Sequence, residues 1–155
     1  MKRVSADDRA INFQLSTRER DALVQVLQAY PVVPPAHQPV TKELKDPRVA
    51  GYQRLLDEAL AEQRAANERH LHQWLAAPDR FQKAKAGCRL ILERADSEWL
   101  LQVLNDIRVG HWLRLGSPEP GELKPQHLDA QQLPAWLAME MSGYFQMSVL
   151  EGLEG

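Results

Sequence analysis

The sequence predicts a mainly α-helical single-domain bundle over residues 1–155, built on a long central helix, with two short strand candidates that can form one pair. Three observations predict it. Leu and Ala together supply 40 of the 155 residues, whereas Val, Ile and Thr supply 15, so strong helix formers far outnumber the β-branched residues that favour strands. Apolar residues recur at three- and four-residue intervals through most of the chain. The prolines fall between those stretches or at their starts rather than inside them. The length is that of one ordinary domain, enough to bury roughly 68–70% of the unfolded surface without a disulfide or metal staple.

Taken in order, Ile11, Phe13 and Leu15 alternate with polar residues and mark a short strand over 11–15. Ser16 and Glu19 spell a capping box, and the helix behind it carries Ala22, Leu23, Val26, Leu27 and Tyr30 on one stripe. Pro31 stops it, because the residue before a proline is pushed out of helical geometry. Residues 31–45, with four prolines, read as an extended loop. Asp46-Pro47 opens the next helix: the Asp side chain caps, and proline sits where no amide donor is needed. Nothing forbids a single helix from there to Ala77, a rod of about 46 Å, and the thinness of Glu62 to Arg69 in large apolar residues leaves a bend or an exposed stretch open there. Pro78 and Gly87 are boundaries, and residues 88–92 form a second strand candidate. Asp96 is expected to cap a helix over 97–115, stopped by Gly116. After a Pro/Gly-rich loop and a short turn near His127–Gln131, Pro134 opens a last helix to about 151. That helix is apolar nearly all round, which predicts burial inside the domain or against another chain. One internal echo is visible at an offset of 77: Leu23–Leu27 matches Leu100–Leu104, and Phe13 and Leu15 fall on Leu90 and Leu92, so the two strands could pair.

Composition excludes several chemistries. Cys88 is the single cysteine, which rules out an internal disulfide, a CxxC redox pair and a four-cysteine zinc site. The formal net charge is −2. Asp7, Asp8 and Arg9 occupy the place where a signal peptide needs apolar residues, and no stretch reaches the ~20 apolar residues of a membrane span, so a cytoplasmic protein is expected. The glycines form no phosphate-binding loop, and no HExxH, GxSxG or paired ExxH occurs. His70 and His72 are two residues apart on a helix, about 200° around it, and cannot share a metal. No catalytic set, metal site or cofactor is expected.

Two groups remain. Arg80, Lys83, Lys85 and Arg89, with Arg94, give residues 79–94 a net +3, a weak basic patch for a nucleic acid. Asn105, Asp106 and Arg108, with Arg114 near the helix end, are the pointed polar group of an otherwise apolar helix, suited to an inter-helix lock or to recognition of a partner or small acidic ligand. His111, on the apolar stripe, reads as a hydrogen-bonded core histidine.

Trp99-Leu100, Leu104-Asn105-Asp106-Ile107-Arg108, Arg114-Leu115-Gly116 and Trp136-Leu137 resemble a bacterial family of small helical proteins of unknown function. Its members are often encoded beside the Clp protease adaptor, and some carry a regulator label. The resemblance implies a small, mostly helical fold and brings with it no reaction and no cofactor. The expected function is a non-catalytic protein–protein interaction or regulatory module, with an unknown protein partner or a homodimer through the Trp136–Leu150 helix. The alternatives are a DNA-binding regulator using residues 80–94, and an enzyme built around Asp106, Arg108 and His111.

Overall fold

The computed structural model describes residues 1–32 and 46–155, so most of the proline-rich loop expected over 31–45 lies outside the described residues. The chain is not an all-α helical bundle. It is an α+β fold in which, among the described residues, four α-helices accompany a four-stranded antiparallel sheet. The strands β1 (Lys2–Ala6), β2 (Ala10–Leu15), β3 (Phe81–Lys83) and β4 (Cys88–Glu93) lie in the order β1-β2-β4-β3.

The centre of that sheet is the strand pair expected from alternation. β2 and β4 run antiparallel with Ile11 opposite Leu92, Phe13 opposite Leu90 and Leu15 opposite Cys88, and all six side chains are buried on one face. Composition misled about the edges. β1 has one β-branched residue and β3 has none, so neither shows a strand pattern by itself. Each forms because a central strand offers it a row of unpaired backbone donors and acceptors, and context outweighs propensity there. Asp7 helps by accepting from the amides of Arg9 and Ala10 (both 2.8 Å), which turns the chain back from β1 to β2.

Several helix signals are realised as local chemistry. Ser16 Oγ accepts from the Glu19 amide (3.1 Å) and Glu19 Oε2 from the Ser16 amide (2.8 Å), opening α1 (Thr17–Gln28). The Asp46 carboxylate accepts from the Arg48 amide (2.9 Å), and α2 runs unbroken over Pro47–Ala76. α3 (Arg94–Arg114) ends in a Schellman turn: Gly116, at φ +85°, donates to Leu113 O and Ser117 to Trp112 O. Asp96 does not cap α3. The helix starts three residues earlier than expected, with Glu93 as N-cap, and Asp96 is spent on a tertiary contact described below. α4 (Gln132–Glu154) follows Asp129, whose carboxylate accepts from the amides of Gln131 and Gln132.

The core lies between one face of the sheet and α1, α3 and α4, with α3 packed most extensively on α4. Leu100, Val103, Leu104 and Ile107 of α3, with Phe145 and Val149 of α4, meet Ile11, Phe13, Leu90 and Leu92. α2 adds only Asn67, Leu71 and Trp74 to the buried set. α4 is also not buried all round. Ser142, Phe145, Ser148, Val149 and Gly152 face inward, whereas Leu137, Tyr144, Met147 and Leu150 are 41–57% exposed. Small residues on its inner face let α4 lie close to the sheet, so its larger side chains project from the opposite side.

Candidate functional site

The polar group singled out on α3 is divided by the fold. Asn105 and Asp106 line a cavity of about 320 Å³ between α2, α3 and the Tyr30–Val32 segment. Arg108 turns towards α4, and its Nη2 donates to Asn105 Oδ1 (3.0 Å) on the exposed surface. Arg114 is exposed at the end of α3. Desolvation by the cavity walls pushes the Asp106 carboxyl above its ordinary range, and the charge of Arg64 across the cavity works against that rise.

Arg108 belongs instead to a groove of about 1180 Å³ between the C-terminal half of α3, the 118–123 loop and α4. Its α4 wall is Trp136, Met139, Gly143, Met147 and Leu150, spaced 3, 4, 4 and 3 residues apart and therefore on one face of the helix. Trp112 forms the α3 wall and fixes the loop, donating from Nε1 to the Pro118 carbonyl (3.0 Å). Leu123 lines the loop side, and Glu119 and Glu140 are its acidic members. The groove residues other than Arg108 and Trp136–Leu150 were not legible as a site. The 3–4 spacing of the α4 wall is present in the sequence, but a helix apolar on every side gives no sign of which face stays open.

The basic patch is taken apart. Arg80 is buried against Trp74, donating from Nε to the Trp74 carbonyl (3.3 Å) and from Nη1 to the Ile91 carbonyl (2.8 Å), with its guanidinium 4.4 Å from the Trp74 ring centroid. Asp96 completes the arrangement, with Oδ2 3.8 Å from Arg80 and Oδ1 3.5 Å from His70. Lys83 pairs opposite Cys88 and so shares the helix-covered side of the sheet, at its edge, whereas Arg89 projects to the other side. Lys85 sits in the turn between β3 and β4. Arg80 therefore holds α2 to the sheet and to α3, and the remaining cations do not share a face.

His111 is buried at 8% exposure, and neither ring nitrogen has a hydrogen-bond partner among the described residues, contrary to the expected hydrogen-bonded core histidine. Burial holds its pKa below the ordinary 6.5, and Arg114 adds to the depression. A histidine whose folded pKa is lowered leaves stability intact above about 6.5 and removes it as pH falls from there through the folded value, because the unfolded chain takes up the proton first. We therefore expect the urea midpoint of the wild type to fall between pH 7.5 and 5.5 more than that of His111→Leu. Equal falls would show that His111 carries none of the acid sensitivity.

The Cys88 thiol is buried, which pushes its pKa up and leaves it unreactive. No group of three or more His, Cys, Asp or Glu side chains suited to a metal occurs among the described residues, and no helix there is long and apolar enough to cross a membrane. In comparisons with known proteins, the chain matches no family model, no curated protein and no solved structure significantly.

Proposed function

We propose that this protein is a non-catalytic protein–protein interaction module whose α3–α4 groove receives a basic amphipathic helix from its partner. The observation that carries this reading is the groove itself. Trp112, Trp136, Met139, Met147, Leu123 and Leu150 line an open, largely apolar channel. Trp136 and Leu150 are fourteen positions apart, about 21 Å along α4, enough to contact four turns of a docked helix. Tryptophans make rigid anchors and methionines adapt to the shape of the guest. The sign of the guest follows from charge: residues 115–155 hold six acidic side chains against one basic, Lys124. Glu119 and Glu140 offer partners to Lys or Arg on the flank of the guest, and Arg108 accepts a single carboxylate.

The test is fluorescence anisotropy with a labelled model peptide of about 18 residues, leucines on one face and lysines beside them. Binding in the micromolar range is expected, at least tenfold weaker for Met147→Asp and for the same peptide with glutamates replacing the lysines. Equal binding by wild type and Met147→Asp would remove the groove as the site. A homodimer through Trp136–Leu150 is a distinct outcome: self-association abolished by Met147→Asp and displaced by the peptide.

A further inference from the structure

The N-terminal half of α2 carries a pattern that neither the core nor the α3–α4 groove uses. From Pro47 to Gln63 no side chain is buried, and Tyr52, Leu55, Leu56 and Leu60 are 74%, 59%, 46% and 36% exposed. The surrounding charges are ordered. Arg48, Leu55 and Glu62 are separated by seven residues each, so at about 100° per residue they fall within about 40° of one line along the helix. Tyr52, Leu56 and Ala59 lie to one side of that line and complete an apolar stripe. On its other flank is Gly51, with open space around the position a Cβ would take.

We infer that α2 pairs antiparallel with α2 of a second copy about a two-fold axis passing close to Leu55. A two-fold interface requires a patch that complements itself. A basic residue, a leucine and an acidic residue at equal spacing meet that condition in the antiparallel sense. Leu55 then meets the partner's Leu55, and about 10 Å to either side Arg48 faces the partner's Glu62. In a parallel pair the same line would set arginine against arginine and glutamate against glutamate. No side chain on this half of α2 is buried among the described residues, and its charge order fits a second copy to that face. The pairing segment holds 17 residues per copy, short of the 20–30 per side of a standard interface, so a reversible dimer with a micromolar constant is expected.

Sedimentation velocity of the full chain, from about 5 to 500 µM, tests the pairing. The wild type should pass from monomer to dimer across that range, and Leu55→Glu should remain monomeric. Arg48→Glu alone and Glu62→Arg alone should each weaken association at least tenfold. An equimolar mixture of those two variants should associate as the wild type does, because the mixed pair again sets opposite charges at both ends. All three positions are exposed, so circular dichroism and melting temperature should match the wild type in each variant. A wild type monomeric throughout, a dimer that survives Leu55→Glu, or a mixture no better than its components would each overturn the proposal. A dimer lost in Met147→Asp and kept in Leu55→Glu would place self-association on α4 and overturn it too. Failure of the peptide to bind the groove concerns the α3–α4 reading alone.

Discussion

Arg80→Ala is expected to destabilise the fold by about 3 kcal/mol, measured by urea denaturation followed through tryptophan emission. The guanidinium lies in the joint between three elements: it donates to a carbonyl at the end of α2, donates to a carbonyl of β4, faces Asp96 in the first turn of α3 and stacks on Trp74. Its removal leaves two carbonyls without that donor and a carboxylate that is 19% exposed with only His70 beside it. The 3.8 Å separation from Asp96 places the expected cost at the lower end for a broken buried pair. Arg80→Lys should recover less than half of the loss, because one ammonium group cannot reach the Trp74 and Ile91 carbonyls from both sides of a planar fork. Full recovery with lysine would mean that charge alone, without the diverging hydrogen bonds, holds the joint.

Phe13→Ala should cost about 4 kcal/mol, since the ring is fully buried at the centre of the sheet. The more informative experiment pairs it with Gly152. A methyl at Gly152 would stand 2.6 Å from Phe13 Cε1 and nearer still to Cζ, and a rigid ring at 0% exposure has no room to withdraw. Gly152→Ala alone should therefore destabilise by about 2 kcal/mol despite its gain in helix propensity. In the Phe13→Ala background the same methyl enters the space the ring has left, and Gly152→Ala should become neutral or stabilising. That change of sign in a double-mutant cycle would assign the close approach of α4 to the sheet to this one glycine. Identical effects in both backgrounds would show that α4 relieves the clash by shifting away.

The division of the α3 polar group shows how far sequence reasoning about a site extends. The spacing of Asn105, Asp106 and Arg108 correctly sets them on the flank of an apolar helix, but helix geometry alone does not say what stands opposite each flank. α2 stands opposite Asp106 and α4 opposite Arg108, so neighbours in sequence face different cavities. The same limit applies to Arg80, whose place in a basic run gives no hint that it is buried on Trp74.

What the sequence determined by itself is the set of features whose partners lie within a few residues. These are the capping box at Ser16 and Glu19, the Asp46-Pro47 start of α2 and the glycine stop after α3. Their hydrogen bonds close locally, so local letters suffice. Residues 11–15 and 88–92 are legible as strands for a different reason, that the apolar pattern of their side chains is local although their ladder partners are not. The echo between the two strand–helix units also anticipated that those strands would be neighbours. Tertiary structure alone decided the rest. β1 and β3 are strands because β2 and β4 present open edges to them. Asp96 leaves the cap position for Arg80 and His70. α4 keeps one apolar face open because Gly152 and its small neighbours draw the other onto Phe13. In each case the deciding energy is a contact with a surface outside the residue's own element, and no local pattern of the chain encodes which surface arrives there.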